Sequence, residues 1–282
     1  MIVDFAYPRM SSLLSTILIT LGISYVLILL SFYFFQMRLV YFPTQIHSFN
    51  PGHFGLDFEE VQLTTSDETK IHGWFVPSKT RGVHIIFFHG NAGNISDRMD
   101  TIRLWNQLGI SGLYIDYRGY GKSEGVPSEQ GTYLDAQAAW DFLVRAKGIS
   151  FEKIIIHGRS LGGPIAAWLA SKNQSAGLIL ESTFISLPEL GQSLYPILPV
   201  KQLARIKYST MKYLEETKCS VLVVHSKQDE IIPVSHGQLL AKKSGSRGHY
   251  LEIRGSHNDG FLESRQDYVP ALQRFIEQID TD

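Results

Sequence analysis

A serine that could act as a nucleophile stands at position 160, in the pentapeptide GRSLG at 158–162. The pentapeptide comes directly after the apolar run KIIIH at 153–157 and directly before GPIAAWLA at 163–170. A Gly-x-Ser-x-Gly turn between a buried strand and a helix exposes the serine hydroxyl at the tip of the strand. We therefore predict that Ser160 attacks an acyl carbonyl, provided that the chain also supplies a base, an acid and donors for the oxyanion.

The base and the acid are predicted in two later loops. His257 follows the predicted strand that ends at Ile253, and Asp229 follows the strand before that one. The order serine, aspartate, histidine is the order that a nucleophilic serine on such an elbow requires. We predict that His257 takes the proton of Ser160 and that Asp229 orients the imidazole.

Other residues compete for both roles. Glu230 is adjacent to Asp229, and Glu181 also ends a predicted strand. Three histidines are weaker candidates for the base, because they lie inside their predicted elements or at the wrong end of them: His225, His236 and His249.

The oxyanion donors are expected to be backbone amides. One belongs to Leu161, the residue after the predicted nucleophile. The other is predicted at Asn91, in the loop HGNAGN at 89–94 that follows the apolar run at 83–88. Gly90 and Gly93 would let the backbone of this loop approach the substrate closely.

Strand and helix patterns alternate along the chain after position 83. We predict strands at 58–65, 70–77, 83–88, 112–116, 154–156, 177–181, 221–225 and 249–253. We predict helices at 97–108, 128–147, 163–172, 234–244 and 267–279, with Ser96 capping the first. Alternation of this kind predicts an α/β fold, a mostly parallel central sheet with helices on both faces. In such sheets chemistry collects at the carboxyl ends of the strands.

The N-terminal part of the chain reads as a membrane anchor. Positions 13–35 form a nearly continuous apolar stretch, about the length that a hydrocarbon core of roughly 30 Å requires. Aromatic residues cluster toward its end, as they do at membrane interfaces. We predict a single-pass protein bound to the lipid bilayer by residues 1–37, followed by a catalytic domain at 38–282. Arg9 and Arg38 flank the span and leave the side of the catalytic domain open.

Composition excludes several classes of partner and site. The chain has 26 basic and 27 acidic residues and a net charge of −1, which argues against a nucleic-acid partner, since that needs a concentrated basic face. Cys219 is the only cysteine, which excludes an internal disulfide and a cysteine-rich metal site. The predicted chemistry needs no metal and no organic cofactor.

Five segments together resemble the α/β-hydrolase superfamily: HGNAGN at 89–94, DYRGYGKSEG at 116–125, GRSLGG at 158–163, QDEIIP at 228–233 and GSHNDGF at 255–261. The resemblance covers about 58–279 and implies an α/β-hydrolase fold with a small cap insertion, here at about 182–218. The apolar span followed by LVYFP at 39–43 resembles the membrane-anchored branch of abhydrolase domain-containing proteins. That branch includes acylglycerol lipases and protein depalmitoylases.

These features predict a membrane-anchored serine hydrolase of carboxylic esters or thioesters, with lipid or S-acyl substrates favoured by proximity to the bilayer. The stretch LYPILPV at 194–200 could line an acyl pocket or face lipid, or it could pack the cap onto the body. A serine peptidase or an acyltransferase could use the same triad, and both alternatives stay open. An anchored binding protein without activity would lack a member of the triad, and none is missing.

Overall fold

The computed structural model describes residues 10–78 and 82–281. The strands are β1 (Phe42–Pro43), β2 (Glu59–Thr64), β3 (Lys70–Val76), β4 (His84–Phe88), β5 (Ala92–Gly93), β6 (Ser111–Ile115), β7 (Ile154–Arg159), β8 (Gly177–Glu181), β9 (Ser220–Ser226) and β10 (Gly248–Ile253). The helices are α1 (Met10–Phe34), α2 (Gln36–Val40), α3 (Met99–Gln107), α4 (Glu129–Asp141), α5 (Gly162–Lys172), α6 (Leu187–Leu194), α7 (Val200–Leu203), α8 (Thr210–Glu216), α9 (Val234–Ser244), α10 (Gly260–Glu263) and α11 (Arg265–Thr281). The expected anchor and catalytic domain also include residues 1–9, Arg9 among them, 79–81 and 282, which lie outside the described residues.

Eight strands form one sheet in the order β10-β9-β8-β7-β4-β6-β3-β2. The strands from β10 to β6 pair in parallel, whereas β3 runs antiparallel to both β6 and β2. The predicted α/β-hydrolase fold, with a mostly parallel sheet, is therefore confirmed. Because β4, β7, β9 and β10 are parallel, the loops after their carboxyl ends meet at one edge of the sheet.

The sheet separates two hydrophobic cores. Successive residues of a strand point to opposite faces, so Ile86 and Phe88 of β4 join one core while Ile85 and Phe87 join the other. Every residue of β7 is buried, as expected for a central strand covered on both faces. The continuous apolar runs of the sequence thus place apolar side chains on both faces of the sheet.

The predicted cap of one helix is wrong. Ser96 does not cap α3; a 3-10 turn at Ile95–Arg98 comes first, and the side chain of Asn94 accepts the Ser96 amide. A short asparagine side chain reaches an amide two residues on and so favours a cap over continued strand or helix. The helix predicted at 128–147 is present as α4, which Ser128 caps, and it continues as a π-helical turn at Phe142–Ala146.

A small parallel pair of strands, β1 with β5, has no counterpart among the predicted elements. Phe42 pairs with Ala92 and Pro43 with Gly93. The amide of Phe42 also donates to the Asn91 carbonyl oxygen at 3.3 Å. The segment that follows the apolar span is therefore attached to the loop after β4, in which the second oxyanion donor is predicted.

The apolar helix α1 is long enough to cross a membrane. Its stretch Ser12–Phe34 has 23 residues and a mean hydropathy of 2.5, and none of it is buried inside the protein. A soluble core helix would bury one face, whereas this helix exposes apolar side chains all round. Its length and composition are those of a membrane span.

The end of this helix and the start of α2 pack against the segment between β8 and β9. Gln36, which is buried, donates to the Leu203 carbonyl oxygen at 2.8 Å and accepts the Arg205 amide at 2.7 Å. The rings of Phe32 and Tyr195 meet edge to face, with centroids 6.4 Å apart. The segment at 182–218 contains α6, α7 and α8, and the apolar span thus contacts the region predicted to form the cap.

Candidate active site

Ser160 lies on a sharp turn between β7 and α5. Its φ of +53° is in the left-handed region, which non-glycine residues rarely adopt. Its amide donates to the Glu181 carbonyl oxygen at 2.9 Å, and its own carbonyl accepts from the Gly163 amide at 2.9 Å and from Thr183 Oγ1 at 2.7 Å. These three bonds hold the backbone in the strained conformation that lifts the side chain out of the strand.

The glycines of the elbow leave no room for a side chain. A Cβ on Gly158 would lie 2.2 Å from the Gly162 carbonyl oxygen, and one on Gly162 would lie 2.0 Å from the Phe88 carbonyl oxygen. The helix α5 therefore approaches β4 and β7 backbone to backbone. This close approach is the physical reason for glycine at both positions.

Ser160, His257 and Asp229 form one series of hydrogen bonds. His257 Nε2 is 3.0 Å from Ser160 Oγ, and His257 Nδ1 is 2.7 Å from Asp229 Oδ2. When Nδ1–H donates to the carboxylate, Nε2 carries the lone pair that can accept the serine hydrogen. The structure thus brings together the three residues that the sequence predicted in three separate loops.

Asp229 is surrounded by donors that favour its charged form. Its Oδ1 accepts the amides of Ile231 and Ile232 at 3.0 and 2.7 Å, and His225 Nε2 is 3.4 Å from Oδ2. Burial alone would raise the pKa of Asp229, but hydrogen bonds from His225 and His257 outweigh it and hold the pKa well below its usual range. Asp229 is therefore ionised at neutral pH.

The two rival carboxylates have other partners. Glu181 Oε1 lies 2.7 Å from Arg159 Nη2, and Glu181 Oε2 lies 2.9 Å from His157 Nε2. Burial would raise the pKa of Glu181, but the charge of Arg159 and the hydrogen bond from His157 lower it to about 2. Glu230 Oε2 accepts the backbone amide of His257 at 2.9 Å. Glu230 therefore contacts the main chain of His257, while Asp229 contacts its ring.

The three weaker histidine candidates contact other groups. His225 Nε2 lies 2.9 Å from the Ile232 carbonyl oxygen, in the surroundings of Asp229. His236 Nδ1 accepts the Ile185 amide at 3.2 Å, and His249 lies in β10. The structure places His225 beside the acid, where its nitrogen supports the carboxylate charge.

The loop after β4 passes directly over Ser160. A Cβ built on Gly90 would lie 3.4 Å from the Ser160 Cβ and 3.9 Å from its Oγ. The Asn91 side chain donates to the Val40 carbonyl oxygen at 2.9 Å, which turns the amide side chain toward α2. Asn91 and Leu161, the two predicted oxyanion donors, both line the cavity that contains Ser160.

A cavity of about 530 Å³ opens above Ser160 and His257. Its volume is within the range of small-molecule sites, roughly 300–1,000 Å³. One wall comes from α6 and includes Leu190 and Leu194; another comes from the end of the apolar span and includes Phe32. An apolar chain of a substrate would thus contact both the predicted cap and the predicted anchor.

Sequence reasoning missed two arginines on the wall of this cavity, Arg98 and Arg159. Arg159 stands next to Ser160 in the elbow, and a charged residue inside an apolar strand-turn-helix pattern is the signal that could have identified it. Arg98 has no such signal, because the fold alone brings the residue before α3 to the tip of β7.

Among the described residues, one cluster has the side chains of a possible metal site, His47, His72 and Asp116. His47 Nε2 and His72 Nδ1 lie 2.7 and 3.2 Å from Asp116 Oδ2. The other carboxylate oxygen accepts the Ile95 amide at 2.9 Å. Both imidazoles hydrogen-bond the carboxylate directly, so the cluster joins the segment after β1 to β3, to β6 and to the turn before α3.

Comparison with known sequences finds a matching family and several relatives. The family described as serine aminopeptidase, S33, matches residues 79–215. The alpha/beta hydrolase domain-containing protein WAV2 of Arabidopsis thaliana is 34% identical over 86% of this chain and 88% of its own. The uncharacterized membrane protein YNL320W of Saccharomyces cerevisiae is 31% identical over 86% of this chain and 89% of its own.

Comparison with solved structures agrees on the fold. The esterase Pf2001 of Pyrococcus furiosus superposes with a TM-score of 0.71, over 85% of this chain and 97% of the esterase. The two are 17% identical in sequence, so this likeness concerns the fold alone.

Proposed function

Since the chain belongs to the α/β-hydrolase superfamily, in the branch of the α/β-hydrolase domain-containing proteins, we propose that it is a membrane-anchored serine hydrolase of carboxylic esters or thioesters. The observation that carries the proposal is the hydrogen-bonded series from Ser160 through His257 to Asp229 at the wall of a cavity. Family membership supports a hydrolase in general, and this series supports serine as the nucleophile.

In the first half of the proposed reaction, Ser160 Oγ attacks the acyl carbon while His257 Nε2 takes the hydroxyl proton. Ionised Asp229 stabilises the imidazolium through Nδ1–H. The backbone amides of Leu161 and Asn91 hold the oxyanion of the tetrahedral intermediate. The carbon–oxygen or carbon–sulfur bond of the substrate then breaks, and His257 gives its proton to the leaving alcohol or thiol.

In the second half, water attacks the acyl-enzyme. His257 Nε2 takes one proton of the water, and a second oxyanion forms in the same pair of amides. Collapse of this intermediate breaks the bond to Ser160 Oγ, which recovers the proton from His257. The products are one carboxylic acid and one alcohol or thiol, with no net change of the enzyme.

The apolar wall of the cavity supports an acyl chain as the group bound there. Leu190 and Leu194 of α6 line the cavity, whereas Ile197 of the same segment is 82% exposed. The segment at 182–218 would therefore serve as a cap with an inner face for the acyl group and an outer face for lipid. Its contacts with Phe32 and Gln36 keep the opening beside the membrane span, which favours lipid or S-acyl substrates.

The anchor supports a location at a membrane, in a single-pass arrangement. Ser12–Phe34 has the length and hydropathy of a span, and a yeast relative carries the description "membrane protein". Holding the cavity at the bilayer raises the effective concentration of acyl groups embedded in it. We propose residues 1–37 as the anchor and 38–282 as the catalytic domain.

The family description favours an aminopeptidase as the second candidate, since the same triad cleaves amides. Such an enzyme must hold the positive amino terminus of its substrate. Two guanidinium groups, from Arg98 and Arg159, and one carboxylate, from Asp97, line the cavity. Although Glu181 balances the charge of Arg159, the guanidinium groups that face the cavity disfavour an ammonium group beside them, which supports an ester or thioester substrate. An acyltransferase would use the same acyl-enzyme with an alcohol in place of water.

Labelling with a fluorophosphonate probe tests the proposal. We expect the purified full-length protein in detergent to be labelled, and the Ser160→Ala variant to remain unlabelled because it lacks the nucleophile. The Ser182→Ala variant is the matched control, since Ser182 is buried at the tip of the next strand and also has a positive φ. If the folded wild-type protein stays unlabelled, the proposal that it is a serine hydrolase is wrong.

Turnover of p-nitrophenyl esters and of amino-acid p-nitroanilides then separates the two candidates. We expect release of p-nitrophenol from the esters, with Ser160→Ala at background. A higher kcat/KM for the p-nitroanilides than for the p-nitrophenyl esters would support the aminopeptidase instead. Adding an alcohol and measuring the new ester against free acid identifies an acyltransferase.

A further inference from the structure

The two arginines beside Ser160 are cationic groups on the cavity wall that the proposed reaction does not use. Arg159 immediately precedes the nucleophile, and its side chain is 8% exposed. Arg98 ends the 3-10 turn before α3. Both line the cavity together with Ser160 and His257.

The hydrogen-bonding capacity of Arg159 is incompletely used. Its Nη2 is paired with Glu181 Oε1 at 2.7 Å, whereas among the described residues its buried Nε has no hydrogen-bond partner. Its guanidinium lies over the Phe261 ring, 4.0 Å from the centroid. Glu181 is itself shared with His157. A buried guanidinium whose Nε–H has no acceptor is suited to bind an anion.

Arg98 is in a similar situation. Its Nη2 donates to the Ala92 carbonyl oxygen, and its buried Nε has no partner in the part of the chain that the structure describes. Burial lowers the pKa of Arg98, and the nearby charge of Arg159 lowers it further. The neighbouring carboxylate, Asp97, is exposed and accepts the Asn94 amide at 2.9 Å. Two like charges close together in a cavity are stabilised when an anion binds between them.

The arginines and the apolar wall approach Ser160 from opposite faces of the sheet. Phe261, under the Arg159 guanidinium, belongs to the core that contains Phe87 of β4. Leu190, on the apolar wall, belongs to the core that contains Phe88. Because Phe87 and Phe88 point to opposite faces, the cavity has an apolar side and a cationic side with the nucleophile between them.

We propose that Arg98 and Arg159 form a binding subsite for an anionic group, a carboxylate or a phosphate, on the leaving-group side of the substrate. The inference rests on the proposed function and deepens it. The acyl chain occupies the apolar side, the carbonyl meets Ser160, and the leaving alcohol or thiol carries the anion on the cationic side. The substrate class is therefore an acyl ester or thioester whose leaving group is negatively charged.

Two matched pairs of substrates test the subsite in the full-length protein in detergent. 4-Butyryloxybenzoate and its methyl ester differ by one carboxylate on the leaving group. 1-Oleoylglycerol 3-phosphate and 1-oleoylglycerol differ by one phosphate. We expect the wild type to prefer the anionic member in at least one pair. The pair in which the preference appears identifies the group, carboxylate or phosphate.

The variant Arg98→Gln removes one charge and leaves the pair of Arg159 and Glu181 in place. We expect kcat/KM for the preferred anionic substrate to fall about 10- to 100-fold, the usual weight of a hydrogen bond to a charged group. Hydrolysis of its neutral partner should change less than about threefold, which also reports correct folding. Arg98→Lys should recover part of the loss.

Arg103→Gln is the matched control, since Arg103 lies on α3 and its side chain is 45% exposed. We expect this variant to behave as the wild type on all four substrates. Equal losses on anionic and neutral substrates in Arg98→Gln, or a wild type that prefers the anionic member in neither pair, would overturn the subsite while the hydrolase stands. Hydrolysis of none of the four, without fluorophosphonate labelling, would instead refute the proposed function.

Discussion

Two buried carboxylates near Ser160 illustrate how partners separate the roles of similar residues. Asp229 and Glu181 both follow or end a strand, and burial raises the pKa of each before their partners lower it. Asp229 has His257 as a partner, so its charge is available to an imidazole that reaches the serine. Glu181 has the guanidinium of Arg159, so its charge balances a cation. The role of each carboxylate therefore follows from the side chain with which it pairs.

Asp229→Asn should retain the shape of the site and lose most of the activity. An amide donor facing His257 Nδ1 favours the tautomer in which Nε2 carries the hydrogen, and that nitrogen can no longer accept the serine proton. We expect kcat for p-nitrophenyl butyrate to fall about 10³- to 10⁴-fold, as in other serine triads. The KM should change little.

The rival acid supplies the comparison for this variant. Glu230 accepts only the backbone amide of His257 among the bonds described for it, so Glu230→Gln should lose no more than a few-fold in kcat. If Glu230→Gln loses as much as Asp229→Asn, or if Asp229→Asn remains fully active, the assignment of the acid is wrong.

At the scale of elements, the loop after β4 is fixed from two sides. The pairing of β1 with β5 holds one side. On the other, Asp116 at the end of β6 binds His47, His72 and the Ile95 amide. The loop that we propose to present an amide to the oxyanion gains from such bracing, since donors that are already oriented need no reorganisation during reaction.

Asp116→Asn should destabilise the fold in a pH-dependent way. Burial raises the pKa of Asp116, but hydrogen bonds from His47 and His72 outweigh it and hold the pKa well below the usual range. A depressed carboxylate stabilises the folded state above its unfolded pKa, about 3.9, and this stabilisation is lost as the pH falls toward the folded pKa. We expect a loss of about 1.5–3 kcal/mol in the free energy of unfolding at neutral pH.

Urea unfolding at about pH 7, 5 and 3.5 measures this difference. The gap between wild type and Asp116→Asn should be smaller at pH 3.5 than at pH 5. Asp57→Asn is the control, because Asp57 is exposed. A gap that stays the same at all three values would mean that the carboxylate charge is not the source of the stability.

At the scale of the whole molecule, the apolar span and the catalytic body share one cavity. The span reaches the cap region at Tyr25, whose hydroxyl donates to the Ile197 carbonyl oxygen at 3.0 Å. Phe32 and Gln36 line the cavity from the same side. The segment proposed as an anchor is therefore also part of the wall that an acyl chain would contact.

Two truncated chains separate these two roles. A chain that begins at Ser31 loses most of the span and keeps Phe32 and Gln36, whereas a chain that begins at Tyr41 loses both. We expect neither chain to remain with membranes after an alkaline wash, and the full chain to remain. We also expect the chain from Tyr41 to lose about 10-fold in kcat/KM on p-nitrophenyl octanoate, since each methylene without contact costs ~0.8 kcal/mol.

The chain from Ser31 is the matched control for the cavity wall, and it should hydrolyse octanoate like the full-length protein in detergent. On p-nitrophenyl acetate all three should be alike, because the acetyl group is too short to reach the wall. Equal octanoate hydrolysis by both truncated chains would show that the wall does not contact the acyl chain. Retention of the chain from Ser31 on washed membranes would locate the anchor elsewhere.

The features that the sequence determined by itself are local in the chain. The elbow at 158–162 needs only a strand before it, a helix after it and glycines where a Cβ would collide. The span at Ser12–Phe34 can be predicted from its length and hydropathy alone. The positions of His257 and Asp229 could be predicted for a related reason. Parallel strands bring the loops that follow them to one edge of the sheet, whatever their side chains are.

The features that only the tertiary structure decided join residues far apart in the chain. Arg98 and Arg159 line the same cavity, Phe32 lines it too, and His47 reaches Asp116. No periodicity or motif records such contacts, because they depend on how elements pack after they have formed. Each sequence pattern therefore predicted an element or a loop position. The two arginines beside Ser160, and the cavity wall that the apolar span shares, could be found only in the folded structure.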